Sequence, residues 1–481
     1  MKRFVSKRVS VAVLAAALLV SPQFLFARGA GAQAPAAPAA REVPAILAGH
    51  SWIPAGASVA PPEGAPEWFR YSGRFAGQRA PGRAFERVTD LESVMGLSGG
   101  RPTGYSVPIY GQPLQGYSGI RAMPDGTFWA LPDNGFGNMR NSQDALLSLQ
   151  RVGIDWDTGA VEVLDILWFH DPDFNVPFHI INEHTERRYL TGSDFDPESF
   201  QITNDAIWVG DEFGPYLIKM DFTGRVQRVF STYVDGRVVR SPEHHTVAPP
   251  GMPGSVFNFD VQRSKGFEGM ALSTCGTRLF PLLEGALWTG TEFENVNGRR
   301  FLRLLEFCLV QEEWTGRYWQ YVLEQNHLAI GDFNMISPTH ALVIERDDFE
   351  GTMDFALPPG GDPERYFANP AQFKRVFLIE FSETNVFGPV TKHAYIDLLR
   401  IQDPNNVSRV PLNDGVFTFP HFTIESVDRV DEHHIIVAND TNFPFSSSRN
   451  PNRADDNEFI LLRVEELLRG IPFVPAPFDV R

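Results

Sequence analysis

Residues 197–212 read PESFQITNDAIWVGDE and residues 267–284 read FEGMALSTCGTRLFPLLE. Each is a short apolar strand opened by a glutamate, a turn, a second apolar strand and an acidic close: Glu198 to Asp211-Glu212, then Glu268 to Glu284. The pattern recurs three more times, from Tyr117-Ser118-Gly119 to Asp133, from Gly331-Asp332-Phe333 to Glu345, and from Ile424-Glu425-Ser426 to Asp440. The turns hold Pro124-Asp125-Gly126, Thr203-Asn204-Asp205, Cys275-Gly276, Pro338-Thr339 and Val430-Asp431-Glu432. Most of these are residues that hairpin turns favour.

Further strand-like runs follow each hairpin, such as 216–220 with 226–230 and 376–381 with 393–398. Each unit is therefore about four antiparallel strands with no helical period between them, which predicts an all-β fold, a β-propeller of four-stranded blades. A β-sandwich is the competing all-β architecture, but it gives no reason for the same acidic punctuation at a blade-like spacing. Five blades are visible, and a sixth has room in 86–104 or 238–262. The last unit has a third strand at 458–464 and little chain left for a fourth. An N-terminal strand is expected to close the ring, and Tyr105 to Tyr110 is the run chosen for it.

Working outward, Lys2, Arg3, Lys7 and Arg8 precede an apolar run from Val9 to Val20 and the small residues Ala30-Gly31-Ala32. That order reads as a signal peptide over 1–32, so an exported protein, periplasmic or secreted, is expected. The Ala/Pro/Gly-rich stretch 33–84 reads as a flexible leader, and 85–481 as the propeller domain. Losing the five basic residues Lys2, Arg3, Lys7, Arg8 and Arg28 with the signal takes the formal charge from −17 to −22. Such acidity argues against nucleic acid and anionic membranes as partners. A small-molecule ester or phosphoester is the expected partner and a monomer the expected form. Spacing alone leaves open whether the two cysteines, Cys275 and Cys308, form a disulfide.

The opening residue of a hairpin's first strand and the closing residue of its second lie at the same end. If the first strand of each blade lines a central channel, Glu198, Glu268, Asp332 and Glu425 meet at one mouth, with Asp133, Asp211, Glu284, Glu345 and Asp440 beside them. So many carboxylates repel unless a cation or hydrogen bonds intervene. One reading is a hard-cation site, Ca²⁺ above all, which takes six to eight oxygens and could grip phosphate and activate water. The other is that each acid caps backbone N–H groups of a neighbouring turn. Arg263, Lys265 and Arg346 sit near the ring as candidate substrate-binding groups, or as ion-pair partners of the acids. Gly96-Leu97-Ser98-Gly99-Gly100 imitates a nucleophile elbow, but Pro102 follows where that motif needs a helix. The histidines His170, His179, His184, His244 and His245 show no zinc-like spacing.

Several repeats share their wording with a known family. Leu190-Thr191-Gly192-Ser193-Asp194-Phe195-Asp196-Pro197-Glu198-Ser199, Gly210-Asp211-Glu212-Phe213-Gly214-Pro215 and Gly266-Phe267-Glu268-Gly269-Met270 resemble the esterase-like phytase family, as do Ala329-Ile330-Gly331-Asp332-Phe333, Val343-Ile344-Glu345-Arg346-Asp347 and Asn442-Phe443-Pro444-Phe445-Ser446. The resemblance spans about 105–466. It implies a propeller and a hydrolase role on phosphoesters or carboxylic esters, and it supplies no catalytic residues. On position alone, Glu268 and Glu212 are the candidate catalytic bases. A non-catalytic ligand-binding propeller and a Ca²⁺-dependent lactonase are the alternatives.

Overall fold

All five expected hairpins form, because their strands are buried on both faces and so read as nearly unbroken apolar runs. The computed structural model describes residues 39–76, 93–114, 116–247 and 258–475. Among them the secondary structure is strand, with three short 3₁₀ turns and no α-helix. Five antiparallel blades follow in chain order. Their innermost strands are Tyr117–Ala122, Pro197–Ile202, Phe267–Leu272, Ala329–Met335 and Thr423–Arg429. Blade 2 shows the plan, with Pro197–Ile202, Ile207–Asp211, Tyr216–Met220 and Val226–Ser231 pairing in succession. Each innermost strand packs against those of the two adjacent blades, and the fifth returns to the first.

The apolar core is divided among the gaps between blades. Alternate residues of a strand face opposite neighbours, as the two-residue period requires. Trp208 packs with Phe267 and Met270 of blade 3, while Ile207 and Val209 pack with Trp129 and Leu131 of blade 1. Equivalent clusters fill the gaps between blades 3 and 4, 4 and 5, and 5 and 1.

An N-terminal strand closes the ring, but it is Ile46–Ile53 and not Tyr105 to Tyr110. Ile46–Ile53 runs antiparallel to Asn457–Arg463 as the fourth strand of blade 5. Just before it, Arg41–Glu42 lies parallel on the outer strand Thr391–Asp397 of blade 4. The stretch 33–84 is thus not a flexible leader throughout, since its described part, 39–76, laces two blades together. Its strand was hidden because ILAGHSWI does not alternate cleanly. The register shifts between Leu47 and Gly49, a Cβ at Gly49 would meet the Trp156 ring at 2.3 Å, and His50 is wholly buried on Glu458, 2.9 Å away. Arg101–Val107 instead forms a hairpin with Val94–Ser98, and Ile109–Tyr110 pairs with Tyr71–Ser72. That hairpin ends at Ser98 and Arg101, whose side chains both bond Glu350, so Ser98 does not stand on a strand-to-helix elbow. No sixth blade is present among the described residues. The expected signal peptide, 1–32, lies outside them, and no described helix is long and apolar enough to cross a membrane.

Candidate acidic channel site

The acids reach the channel through one repeated device. In each innermost strand the pairing register shifts early, by skipping Ser118, Glu198, Glu268 or Glu425, or by spending two residues, Gly331 and Asp332, against one. A bulge leaves one residue out of the ladder and re-aims its side chain. Blades 2, 3 and 5 place a glutamate there. Glycines clear the way for strands this close to the axis: a Cβ at Gly269 would meet Phe333 Cβ at 2.7 Å, and one at Gly331 would meet the Ile424 carbonyl at 2.3 Å.

Glu198, Glu268 and Glu425 each bring an oxygen within 4.8 Å of the other two. Two further triads share their members, Asp133 with Asp196 and Glu198, and Glu212 with Glu268 and Glu284. Seven carboxylates therefore form one chain across the mouth. All are buried except Asp133, which is half-buried. Two cations answer them directly: Arg346 Nη2 donates to Glu425 Oε1 at 2.7 Å, and Lys265 Nζ to Glu284 Oε2 at 2.5 Å. Glu212 Oε1, Glu268 Oε1 and Glu284 Oε1 are buried without a protein hydrogen-bond partner.

Like charges 4.8 Å apart repel by on the order of 3 kcal/mol at an effective dielectric constant of 20. Burial first, and then mutual repulsion, pushes Glu198 and Glu268 well above the usual carboxylate range. Glu212 and Asp196 move the same way for the same reasons. Burial also lifts Glu425, to about 7, against the pull of Arg346. Without a counter-ion, burial and repulsion favour the protonated forms of Asp196, Glu198, Glu212 and Glu268.

The donor set fits a hard cation. Three oxygens 2.3–2.6 Å from one Ca²⁺ can be up to about 4.5 Å from one another, so the three carboxylates, with oxygens within 4.8 Å, can share one ion after shifts of a few tenths of an ångström. The unpartnered oxygen of Glu268 is a ligand atom with nothing else to bind.

Other expected members of the ring have different work. Asp211 is a cap, accepting the Asp196 N–H at 2.8 Å and the Gly214 N–H at 2.7 Å. Asp332 accepts the Phe333 and Val427 N–H groups and the Asn334 amide, which ties blade 4 to blade 5 below the mouth. Glu345 points away from the axis, because its bonds go to Tyr321, Lys392 and the Glu324 N–H. Asp440 caps Asn442 and accepts Thr423 Oγ1, and it adjoins the cluster through Asp133. Arg263 pairs with Glu243 instead of a ring acid. Cys275 is exposed in its turn and Cys308 is buried in a strand, both as free thiols, so the disulfide does not form.

Two features escaped the sequence reading. Asp196, two residues before the bulged Glu198, joins the cluster, and its alternation with Glu198 was the available signal. The far end of the channel is filled by a polar plug. Arg121 donates to Asn334 and Asp428, and Gln201 donates to Asn334 and the Met270 carbonyl. At the acidic end, two clefts of about 410 and 200 Å³ share Asp348, an ion-pair partner of Arg346.

A family model described as phytase-like, esterase-like activity of phytase, matches residues 112–443. An uncharacterized secreted protein of Arthroderma benhamiae is 26% identical over 239 residues, a match covering 38% of this chain and 46% of that protein's length. Among solved structures, the Kuenenia stuttgartiensis hydrazine synthase aligns with a TM-score of 0.28 at 12% identity, covering 68% of this chain and 78% of that one. A luciferin-regenerating enzyme aligns with a TM-score of 0.30 at 8% identity, covering 76% and 97%.

Proposed function

The chain belongs to the phytase-like family, whose model covers 112–443, and from that premise we propose an exported hydrolase of phosphoesters or carboxylic esters that works with Ca²⁺ at the acidic mouth. The observation that carries the proposal is the set of buried glutamates whose oxygens converge while one oxygen each of Glu212, Glu268 and Glu284 has no hydrogen-bond partner. Glu198, Glu268 and Glu425 would hold the ion. When bound, it supplies positive charge for a substrate oxygen and makes a water more acidic.

The chain's own groups do the rest. Glu212, raised by burial and by Glu284, would take the proton of an attacking water and return it to the departing alcohol. Glu268, the other candidate base, serves better as a ligand because two triads share it. Arg346 would hold Glu425 through Nη2 and bring its positive charge to the mouth where a substrate anion would bind. Lys265 lines the smaller cleft beside Glu284, where its charge can face an anionic ester.

A second reading is favoured by depth: Glu268 is 4% exposed and Glu198 7%, which suits an ion held for structure in a binding propeller. Assays of the mature protein against nitrophenyl phosphates, nitrophenyl esters and lactones, with Ca²⁺ and with chelator, decide between them. The hydrolase reading expects calcium-dependent turnover that Glu212→Gln lowers at least about a hundredfold, the typical worth of a general base. Turnover of lactones alone would make the enzyme a lactonase. Flat rates on every substrate would leave the binding propeller.

A further inference from the structure

Away from the channel, blade 4 brings three metal-binding side chains together on three adjacent strands. His340 opens the second strand and stands directly opposite Glu380 at the end of the third. Residues directly opposite in a ladder share a sheet face. On the outer strand the register shifts between Leu378 and Ile379, whose partners are Ala394 and Lys392, so His393 is the skipped residue. The bulge turns it toward Glu380, and His393 Nε2 lies 2.8 Å from Glu380 Oε2. The two imidazole rings lie with centroids 5.8 Å apart, tilted by 34°, and one ligand atom from each of the three residues lies within 4.8 Å of the other two.

We propose that His340, Glu380 and His393 form a solvent-facing site for a zinc-class dication, which staples the outer strand of blade 4 to the two strands inside it. Two imidazoles and one carboxylate with positions open to water are a donor set that zinc accepts and that Ca²⁺ or Mg²⁺, which prefer oxygen, does not. Ligand atoms around tetrahedral zinc are about 3.3 Å apart, so closing the set needs shifts of roughly 1 Å. Glu380 and His393, each 40% exposed at the side chain, have that freedom. The third ligand is held in place. His340 Nδ1 lies 3.1 Å from both Ser337 Oγ and Thr339 Oγ1, hydroxyls that can accept its N–H and leave Nε2 for the metal. Such a contact on the second ring nitrogen is the usual partner of a ligating histidine. The stapled strand also carries Arg41–Glu42, whose partners Ala394 and Tyr395 directly follow His393. An ion here would brace the surface on which the N-terminal segment docks.

The test is titration calorimetry of tag-free, chelator-stripped protein with Zn²⁺, beside Ca²⁺ and Glu268→Gln. One zinc per chain is expected, unchanged in Glu268→Gln and weakened at least roughly tenfold in His393→Ala, since losing a ligand costs no less than losing its supporting contact. Co²⁺ as a probe should give a visible d–d band that His393→Ala and Glu380→Gln each abolish. Both variants change half-exposed residues, which keeps loss of folding out of the result. No zinc binding by the wild type, or equal affinity in His393→Ala, would overturn the proposal. Either result leaves the calcium reading of the channel untouched.

Discussion

Removing the ring-closing strand should unfold the propeller, and removing the chain before it should not. Val43, Leu47 and Ile53 are 3%, 0% and 6% exposed, and Leu47 sits among Ile344, Ile460 and Leu462 between blades 4 and 5. Exposing three such side chains forfeits about 1.5–3 kcal/mol each, or about 4.5–9 kcal/mol together. That is comparable with the whole stability of a typical domain, about 5–15 kcal/mol. The loss also bares the edge of Asn457–Arg463, which Ile46–Ile53 covers through seven paired residues. A chain starting at residue 39 should therefore elute as a monomer and unfold cooperatively in urea, followed by tryptophan fluorescence. A chain starting at residue 55 should aggregate or lack a transition. Leu47→Ala, the milder form, should lower stability by about 3 kcal/mol, within the range for a buried leucine. Equal urea midpoints for the two truncations would refute closure by this strand.

Three other outcomes follow from the same structure. Glu425 and Asp440 are both raised to about 7, burial being the main cause, against 4.5 and 3.8 without the fold. Folding therefore holds protons that the unfolded chain releases, so calcium-free stability is full below about pH 4 and falls through pH 7, by up to about 1.4 kcal/mol per pH unit for each such group. Melting curves in chelator should shift down from pH 4.5 to 7.5 and flatten with Ca²⁺, whereas a rise over that range without calcium would contradict the cluster. Asp332→Ala should cost about 1–3 kcal/mol by stranding the Phe333 and Val427 N–H groups, equally with calcium and chelator in thermal denaturation. Thiol titration should find one reactive group, Cys275, in the native protein and two in denaturant, and none in either would mean a disulfide.

The blades were legible because a propeller writes its strands locally: an apolar run, a turn and an apolar run repeat wherever a hairpin is buried on both faces. Glu198, Glu268 and Glu425 were legible as a set because the same bulge recurs at the same point of each innermost strand. Sorting ligands from caps was not, since Asp211 closes its hairpin as Glu284 does and Asp332 opens its strand as Glu268 does, and only the backbone N–H groups that reach Asp211 and Asp332 set them apart. Glu345 looked like a ring member until Lys392 and Tyr321 proved to hold it on the outer side. The closing strand depends on contacts about 400 residues away in sequence, between His50 and Glu458 and between Gly49 and Leu461, and no local pattern encodes them. The plug and the His340–Glu380–His393 cluster are likewise products of register between strands.

The central claim is that the channel mouth holds a hard cation, and the most direct measurement is the melting temperature of chelator-stripped protein titrated with Ca²⁺, wild type beside Glu268→Gln. Binding to the folded state alone adds about 2.7 kcal/mol at a hundredfold excess over Kd. The wild type should gain that stability, and Glu268→Gln, which removes the ligand shared by two triads, should lose most of it. Glu198→Gln and Glu425→Gln should be coupled to each other in a double-mutant cycle, as co-ligands of one ion are. A wild-type melting temperature that stays constant from chelator to millimolar Ca²⁺, Mg²⁺ and Mn²⁺ would contradict the claim and the mechanism built on it.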